Sequence, residues 1–407
     1  MNNILILLTD SFPYGTKETF LEAEIGFLSA AFESVHIFPL HGSGVYRQQA
    51  SNVKIHTPFL SFYPKNQRQL LLHGLFNVSP CRFAIKELWK RSIYKQPAQL
   101  RVWMAATLVF RAAYSNRACI SELTHLIGSK TVLYSYWGDK LALIIPFLNQ
   151  KNAVKTVVRF HRTDLYEEFK SGYIPFRSLL LPAVGHFAFI SEDGKKYLEQ
   201  QYPAWIRYSY LFRLGVFDKG INPVNQSSVF HIVSCSYMVP VKRIPMLIEA
   251  LQQLDFRIKW THIGTGSEYD KIYRLTQQLP ENVEAELLGE RSNQEVLSYY
   301  ATTPIDLFVN VSESEGVPVS IMEALSFGIP VMATAVGGTG EIVDDAVGML
   351  LPITISAKQL AEAIRIFCDS KQAANKRIEA RKRWQERCDA KTNYNEFANF
   401  LSNIKEF

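Results

Sequence analysis

The sequence predicts two α/β halves, each built on a parallel sheet. Three observations carry this. Short apolar runs alternate with amphipathic segments along most of the chain, the pattern of repeated strand–helix units. The alternation breaks once, at 217–228 (FDKGINPVNQSS), a Gly/Pro/Asn/Ser stretch of linker type. The 407 residues are enough for two domains, each with its own core. The predicted domains are 1–216 and 229–385, with 386–407 as a C-terminal helix.

The elements follow in order. Residues 3–8 read as a buried strand and 18–32 as a helix with Phe20, Glu24, Phe27, Leu28 and Ala31 at helical spacing. A second strand at 35–40 completes a β-α-β opening. From about 59 to 116 the chain is basic and aromatic. Its Leu71, Leu75, Phe83, Leu88, Trp89, Trp103, Leu108 and Phe110 suit two or three amphipathic helices. Strands are predicted at 132–137, 154–160 and 187–190, with helices at 139–148 and 192–200, the latter capped by Ser191. A segment at 208–216 closes the first half. The second half has strands at 229–234, 256–263, 283–288, 305–311 and 331–334. Its helices are predicted at 243–254, after GTGSEYD, and at 293–301. A further helix is entered through Pro318 and stopped at Gly328, with Pro330 just beyond. The chain is helical from 357 onward.

Hydrophobic content of 47% and charged content of 20% are those of an ordinary globular protein. A net charge of +6 is too small to mark a nucleic-acid binder. The charge is uneven, however. Between 61 and 120 stand Lys65, Arg68, Arg82, Lys86, Lys90, Arg91, Lys95, Arg101, Arg111 and Arg117 against Glu87 alone. Such a concentration suits an anionic partner, either a membrane surface or a phosphate-bearing substrate, and also suits a solvated helix face. Cys81, Cys119, Cys235, Cys368 and Cys388 are scattered without paired spacing, as in a reducing compartment. The start, MNNILILLTD, lacks the basic lead of a signal peptide. The apolar run at 102–110 falls far short of the ~20 residues a membrane span needs. A cytoplasmic protein, peripheral on the inner face of the cell membrane, is expected. No Asp-x-Asp motif stands between strands and no His/Cys cluster suits zinc. GTGSEYD lacks the third glycine of a dinucleotide fingerprint and reads as a turn, with its Gly266, like Gly15 after the first strand, expected on the donor side.

The segment 305–341, IDLFVNVSESEGVPVSIMEALSFGIPVMATAVGGTGE, carries the chemistry. Glu323 is a carboxylate within an apolar helix, which is costly unless paired. Val317 is a poor helix cap, so the amides around Gly316, Val317 and Val319 are left to meet an anion at the helix start. A nucleoside diphosphate over that helix start would let Glu323 accept from ribose hydroxyls and Glu315 from sugar hydroxyls.

This segment resembles the signature of family four of the retaining glycosyltransferases, which have the GT-B fold. The resemblance rests on Glu315 and Glu323 with seven residues between them, on Gly328-Ile329-Pro330-Val331, and on Gly337-Gly338 with Glu341. VPVKRIPMLIEAL is similar to the family's lysine-bearing turn, placing Lys242, with Arg243, on the donor diphosphate. RFHRTDLYEE resembles its His-x-x-Asp loop, so His161 would bond the donor sugar and help position the acceptor. Tyr136-Trp137-Gly138-Asp139 resembles an acceptor-side motif, with Arg162 nearby. The start and tail resemble bacterial enzymes of capsular, exopolysaccharide or O-antigen synthesis. The resemblance implies two Rossmann-like domains facing across a cleft, the last helix returning to the first domain. It implies metal-independent transfer with retention from a UDP- or GDP-sugar to a saccharide or polyprenyl-diphosphate-linked acceptor, without a cofactor. His161, Glu315 and Lys242 would be the catalytic residues.

Two departures stand out. The family's Gly-Arg-Leu is Ser236-Tyr237-Met238 here, so an arginine that shares the diphosphate is a tyrosine. Tyrosine cannot replace the planar cationic fork. The loop after the first strand has one glycine, Gly15, where many relatives have two. Structural alternatives are a carbonyl-bonded strand-end role for His161, a core role for Trp137 and a helix-start cap for Asp164. Rival functions are a nucleotide-sugar epimerase of the same fold and a non-catalytic nucleotide- or lipid-binding module.

Overall fold

A computed structural model describes residues 3–62, 82–148, 154–369 and 373–405. It divides into two compact units, Met1–Phe212 with Tyr394–Phe407, and Arg213–Asn393.

The first unit is built on seven parallel strands: β1 (Ile4–Thr9), β2 (Ser34–Pro39), β3 (Val53–Ile55), β4 (Thr131–Ser135), β5 (Lys155–Phe160), β6 (His186–Phe189) and β7 (Ser209–Leu211). Their order is β3-β2-β1-β4-β5-β6-β7. Strand β1 is apolar on both sides because both faces of a parallel sheet are covered. Ile6 and Leu8 enter one core with Phe38, Leu133 and Phe160. Leu5 and Leu7 enter the opposite one with Leu21, Leu28 and Tyr134. The last helix, Ala390–Asn403, drives Phe397, Ala398 and Leu401 into that second core. At its centre Arg159 and Glu24 form an ion pair with no exposed side-chain surface, Tyr134 donates to Glu24 at 3.2 Å, and the Phe397 ring lies 4.0 Å from the guanidinium.

The second unit carries six parallel strands: β8 (Phe230–Cys235), β9 (Ile258–Ile263), β10 (Val283–Gly289), β11 (Leu307–Asn310), β12 (Val331–Thr334) and β13 (Gly348–Leu351). Their order is β10-β9-β8-β11-β12-β13. In each sheet the order reverses beside the first strand, between β1 and β4 and between β8 and β11. Ligands of open α/β sheets bind at the carboxyl ends of strands at such switch points. The chain thus has two Rossmann-like α/β units.

Several expectations shift in detail. The helix expected over 139–148 is a 3-10 turn, Lys140–Ile144, followed by the short helix Ile145–Leu148. Pro146 fits only a first helical turn, so the segment restarts there. The helix expected over 243–254 runs Ile244–Leu251, because Arg243 is left-handed (φ 50°) and Pro245 opens the first turn. Strands β3 and β13 were not expected; both are short and partly exposed. The basic region holds helices Arg82–Lys90, Pro97–Ser115 and Arg117–His125. Lys65, Arg68, Leu71, Leu75 and Cys81 lie outside the described residues. Among the described residues no helix is long and apolar enough to cross a membrane.

Candidate active site

In the second unit, β11 ends at Asn310 and the chain turns through Glu315 into the helix Val319–Ser326. The turn is braced on three sides. Ser312 N donates to Asn310 Oδ1 (3.1 Å), Glu313 N to Val241 O (2.8 Å) and Thr334 Oγ1 to Ser312 O (2.5 Å). Gly338 N donates to Gly316 O (2.7 Å), and a Cβ on Gly337 would lie 2.1 Å from Glu315 O. The Gly-Gly pair is there because two backbones touch. Pro318 is the helix cap and supplies no capping side chain. Among the described residues no acceptor is found for the amides of Gly316, Val317, Val319 and Ser320. The helix start therefore keeps its partial positive charge for an outside anion.

Lys242, on the 3-10 turn Pro240–Lys242 after β8, makes an ion pair with Glu315, and Asn310 Nδ2 also reaches that carboxylate at 3.4 Å. Lys242 thus meets Glu315 in this structure rather than standing bare. Glu323 is buried, with Asn293 Nδ2 2.5 Å from its Oε1. Burial pushes its carboxyl up to about 7, against the opposing Asn293 bond. Ser234, Cys235, Ser236, Lys242, Asn310 and Ser312 line a small pocket at the ends of β8 and β11.

Arg243 is held by backbone carbonyls: its Nε donates to Val311 O (2.6 Å) and its Nη1 to Ile353 O (2.8 Å). These bonds brace the turn beside Lys242. Gly266 serves packing: a Cβ there would come 2.5 Å from Met238 O. Tyr237 is 69% exposed at the end of β8 and adds no charge. Asn293, Asn310 and the serines Ser234, Ser236 and Ser312 were missed from sequence. Amide and hydroxyl side chains carry no periodic or charge signal; only their place at strand ends or a helix start would have marked them.

In the first unit, His161 follows β5 and begins the turn Arg162–Leu165. Its ring packs 4.6 Å from Tyr136 and 4.4 Å from Trp137 (centroids). Both ring nitrogens are buried and, among the described residues, without a hydrogen-bond partner, so the carbonyl-bonded role is not the one found. Burial and the neighbouring Arg159 hold the imidazole well below its usual range. A neutral ring offers one donor and one acceptor. Asp164 is at the third position of the turn, where its Oδ1 accepts from His161 N (2.7 Å) and its Oδ2 from Gly138 N (2.5 Å). It ties the β4 and β5 loops together. Burial and then Asp139 push its carboxyl up to about 7.

The acceptor-side residues separate. Tyr136 is buried in the second core and backs His161. Trp137 is partly exposed, with its indole N–H on Glu18 at 2.7 Å. Asp139 pairs with Lys170 at 2.6 Å. Burial alone would raise its carboxyl, but Lys170 and Lys140 outweigh it and hold the group below its usual range. Arg162 lies 4.1 Å over the Phe169 ring. Gly15 (φ 71°) donates to Val45 O at 2.8 Å, and a Cβ on Gly44 would come 2.7 Å from Gly15 Cα. The second glycine of this close approach comes from a different loop. Among the described residues no group of His, Cys, Asp and Glu is placed to hold a metal ion.

Residues 224–386 match the family model described as glycosyl transferases group 1. An uncharacterised glycosyltransferase of Methanocaldococcus jannaschii is 37% identical over 127 residues, 31% of this chain and 34% of that protein. The putative colanic acid biosynthesis glycosyltransferase WcaL of Escherichia coli is 28% identical over 144 residues, 33% of this chain and 35% of that protein. The chain thus spans about a third of the length of these curated relatives. The fold extends further than the sequence likeness. Anabaena HepE, solved in complex with UDP, superposes with a TM-score of 0.68 over 99% of this chain and 100% of its own, at 17% identity. The fold is GT-B.

Proposed function

We propose that the chain is a glycosyltransferase of polysaccharide biosynthesis, moving a sugar from a nucleoside diphosphate sugar to a saccharide with retention of anomeric configuration and without a metal. The observation that carries this is the uncapped start of helix Val319–Ser326 beside Lys242, with Glu315 and the buried Glu323 on the same segment. The group 1 match over this unit and the UDP held by HepE support the reading. Glu323 would take the ribose diol and Glu315 the sugar hydroxyls. Lys242 and the helix start would stabilise the departing diphosphate, as a cation does elsewhere. With no side chain among the described residues placed as a nucleophile, the acceptor would attack on the face the diphosphate leaves. In the first unit, neutral His161, set against Trp137, would bond the sugar or the acceptor hydroxyl.

We further propose an acceptor on a lipid carrier and docking to an anionic membrane face. Helix Arg82–Lys90 and the turn Ile93–Lys95 expose Trp89 (63%) and Tyr94, ring centroids 4.9 Å apart, among exposed Lys86, Lys90, Arg91 and Lys95. The region's one acid, Glu87, points inward and accepts from Phe176 N at 2.9 Å. Amphipathic rings among cations suit a headgroup layer. Flotation with anionic vesicles tests this: binding lost in high salt or on Trp89→Ala with Lys90→Glu supports it, and no flotation ends it. The transferase reading is tested with UDP- and GDP-sugars in EDTA, scoring nucleotide release for wild type, Lys242→Ala and Glu323→Ala. Unchanged binding and transfer in both variants would remove the site assignment. Exposed, uncharged Tyr237 favours one second reading, a nucleotide-binding module without catalysis. Binding without release across the panel would select it.

A further inference from the structure

Glu18 has no part in the donor chemistry above, yet its carboxylate is the most densely bonded acceptor at the end of β1. Oε1 accepts from Asp10 N (2.9 Å) and from Trp137 Nε1 (2.7 Å). Oε2 accepts from Ser11 N (2.8 Å), Phe12 N (2.6 Å) and Ser11 Oγ (3.3 Å). Three successive backbone amides and an indole N–H therefore converge on one carboxylate, whose two oxygens have about four lone-pair sites. A nest of amides at a strand end is an anion site in other folds; here the chain fills it with its own side chain.

Two further facts separate this from ordinary helix capping. Glu18 immediately precedes the helix Thr19–Ala31, but its side chain makes no cap bond to that helix. Its backbone is left-handed, φ 56° and ψ 44°, a conformation a non-glycine residue keeps only when the surroundings demand it. The carboxylate turns away from its own helix and back toward β1.

What it holds bears on the site. The Asp10–Phe12 backbone leads directly out of β1, and the Asp10 carboxylate receives Lys140 Nζ at 2.6 Å. Trp137 leads out of β4 and packs its ring on His161 at 4.4 Å. Glu18 thus joins the loops after β1 and β4 and fixes the indole that packs on the His161 imidazole. We infer that Glu18 is a positioning residue: it sets Trp137, and through it His161, and with the Asp10 loop it shapes the surface of the first unit that receives the acceptor. The role in acceptor handling rests on the transferase reading; the anchoring of Trp137 does not.

The test is Glu18→Ala with formate as probe. Removing the side chain opens a nest for a small carboxylate. Formate is expected to raise the melting temperature of Glu18→Ala and to shift its indole emission toward that of wild type. Neutral acetamide should do neither, and wild type should ignore both. The emission response should vanish in Glu18→Ala/Trp137→Phe. With an active acceptor, Glu18→Ala should raise the acceptor KM about tenfold, the scale of losing charge-assisted bonds, with donor KM little changed, and formate should recover it. If Glu18→Ala does not fold, Glu18→Gln keeps the size, turns an NH2 toward the amide donors and should show the same KM change. A folded variant with wild-type emission and acceptor KM, or a loss that formate leaves untouched, overturns the proposal. If wild type transfers no sugar, the transferase reading fails, and formate-dependent melting and emission still decide the anchoring of Trp137.

Discussion

Replacing Glu315 by Gln should strengthen nucleotide binding while abolishing transfer. In the free protein Lys242 is held by Glu315, with side chains only 19% and 9% exposed, so the pair is screened little by solvent. A diphosphate approaching the helix start must share Lys242 with that carboxylate and meets its negative charge as well. At ~6 Å and an effective dielectric of ~20, two unit charges interact by about 3 kcal/mol. Salt and partial exposure reduce this to about 1–2 kcal/mol, or roughly tenfold in affinity. Gln keeps the shape and removes the charge. Titration calorimetry with UDP and GDP should therefore show roughly tenfold tighter binding to Glu315→Gln. The transfer rate should fall by about a hundredfold or more, because the group proposed to hold the sugar loses its charge where it acts. Lys242→Ala should weaken nucleotide binding. A folded Glu315→Gln that binds nucleotide more weakly than wild type would refute the reasoning, since the carboxylate would then be helping the diphosphate.

Other consequences can be checked separately. Glu323 has its carboxyl pushed from the ordinary 4.5 to about 7 by burial. The folded state therefore holds a proton that the unfolded chain has released, and its contribution, fully present below pH 4.5, is lost as pH rises through 7. The size is about 3 kcal/mol; denaturant melts across pH 5–8 should flatten in Glu323→Gln. His161 is held neutral by burial and Arg159, so the rate–pH profile should keep the same inflections between about pH 6 and 8 when His161 is replaced by Asn. Glu24→Ala leaves the fully buried Arg159 unpaired and should cost about 3–5 kcal/mol of stability by urea titration. Gly138→Ala would place a Cβ 2.1 Å from the Phe160 ring and should cost about 1–3 kcal/mol in the same titration.

Much of the fold was legible because each strand announces itself by apolar continuity. Strand β12 was read at its observed ends, since Pro330 before it and the glycine pair Gly337–Gly338 soon after it bracket it. The helix Val319–Ser326 was legible for a similar reason, with Pro318 before it and Gly328 (φ 70°) after it. Strand β13 escaped because it opens on Gly348, where a Cβ would lie 1.8 Å from Val331 O, and leaves an apolar run of only Met349, Leu350 and Leu351 before Pro352. At the site, titratable residues in unusual places were visible: Lys242 and His161 beside strand ends, Glu315 in a turn and Glu323 within an apolar helix. What each touches was not visible. Nothing in the sequence says that Arg243 turns onto Val311 O while Lys242, one residue earlier, turns onto Glu315. The left-handed backbone of Arg243 makes that division, and it is a property of the folded turn. Glu18 was hidden for the same reason, since its partners Asp10, Ser11, Phe12 and Trp137 meet only when β1 and β4 pair.

The central claim is that the second unit binds a nucleoside diphosphate sugar for transfer. The most direct measurement is release of free nucleotide from UDP- and GDP-sugars by the full chain in EDTA, with product anomer read by proton NMR. Release from one donor, retention at the anomeric carbon and loss of both in Glu323→Ala are predicted. No donor stabilising the protein in thermal melts and no release from any of them would contradict it.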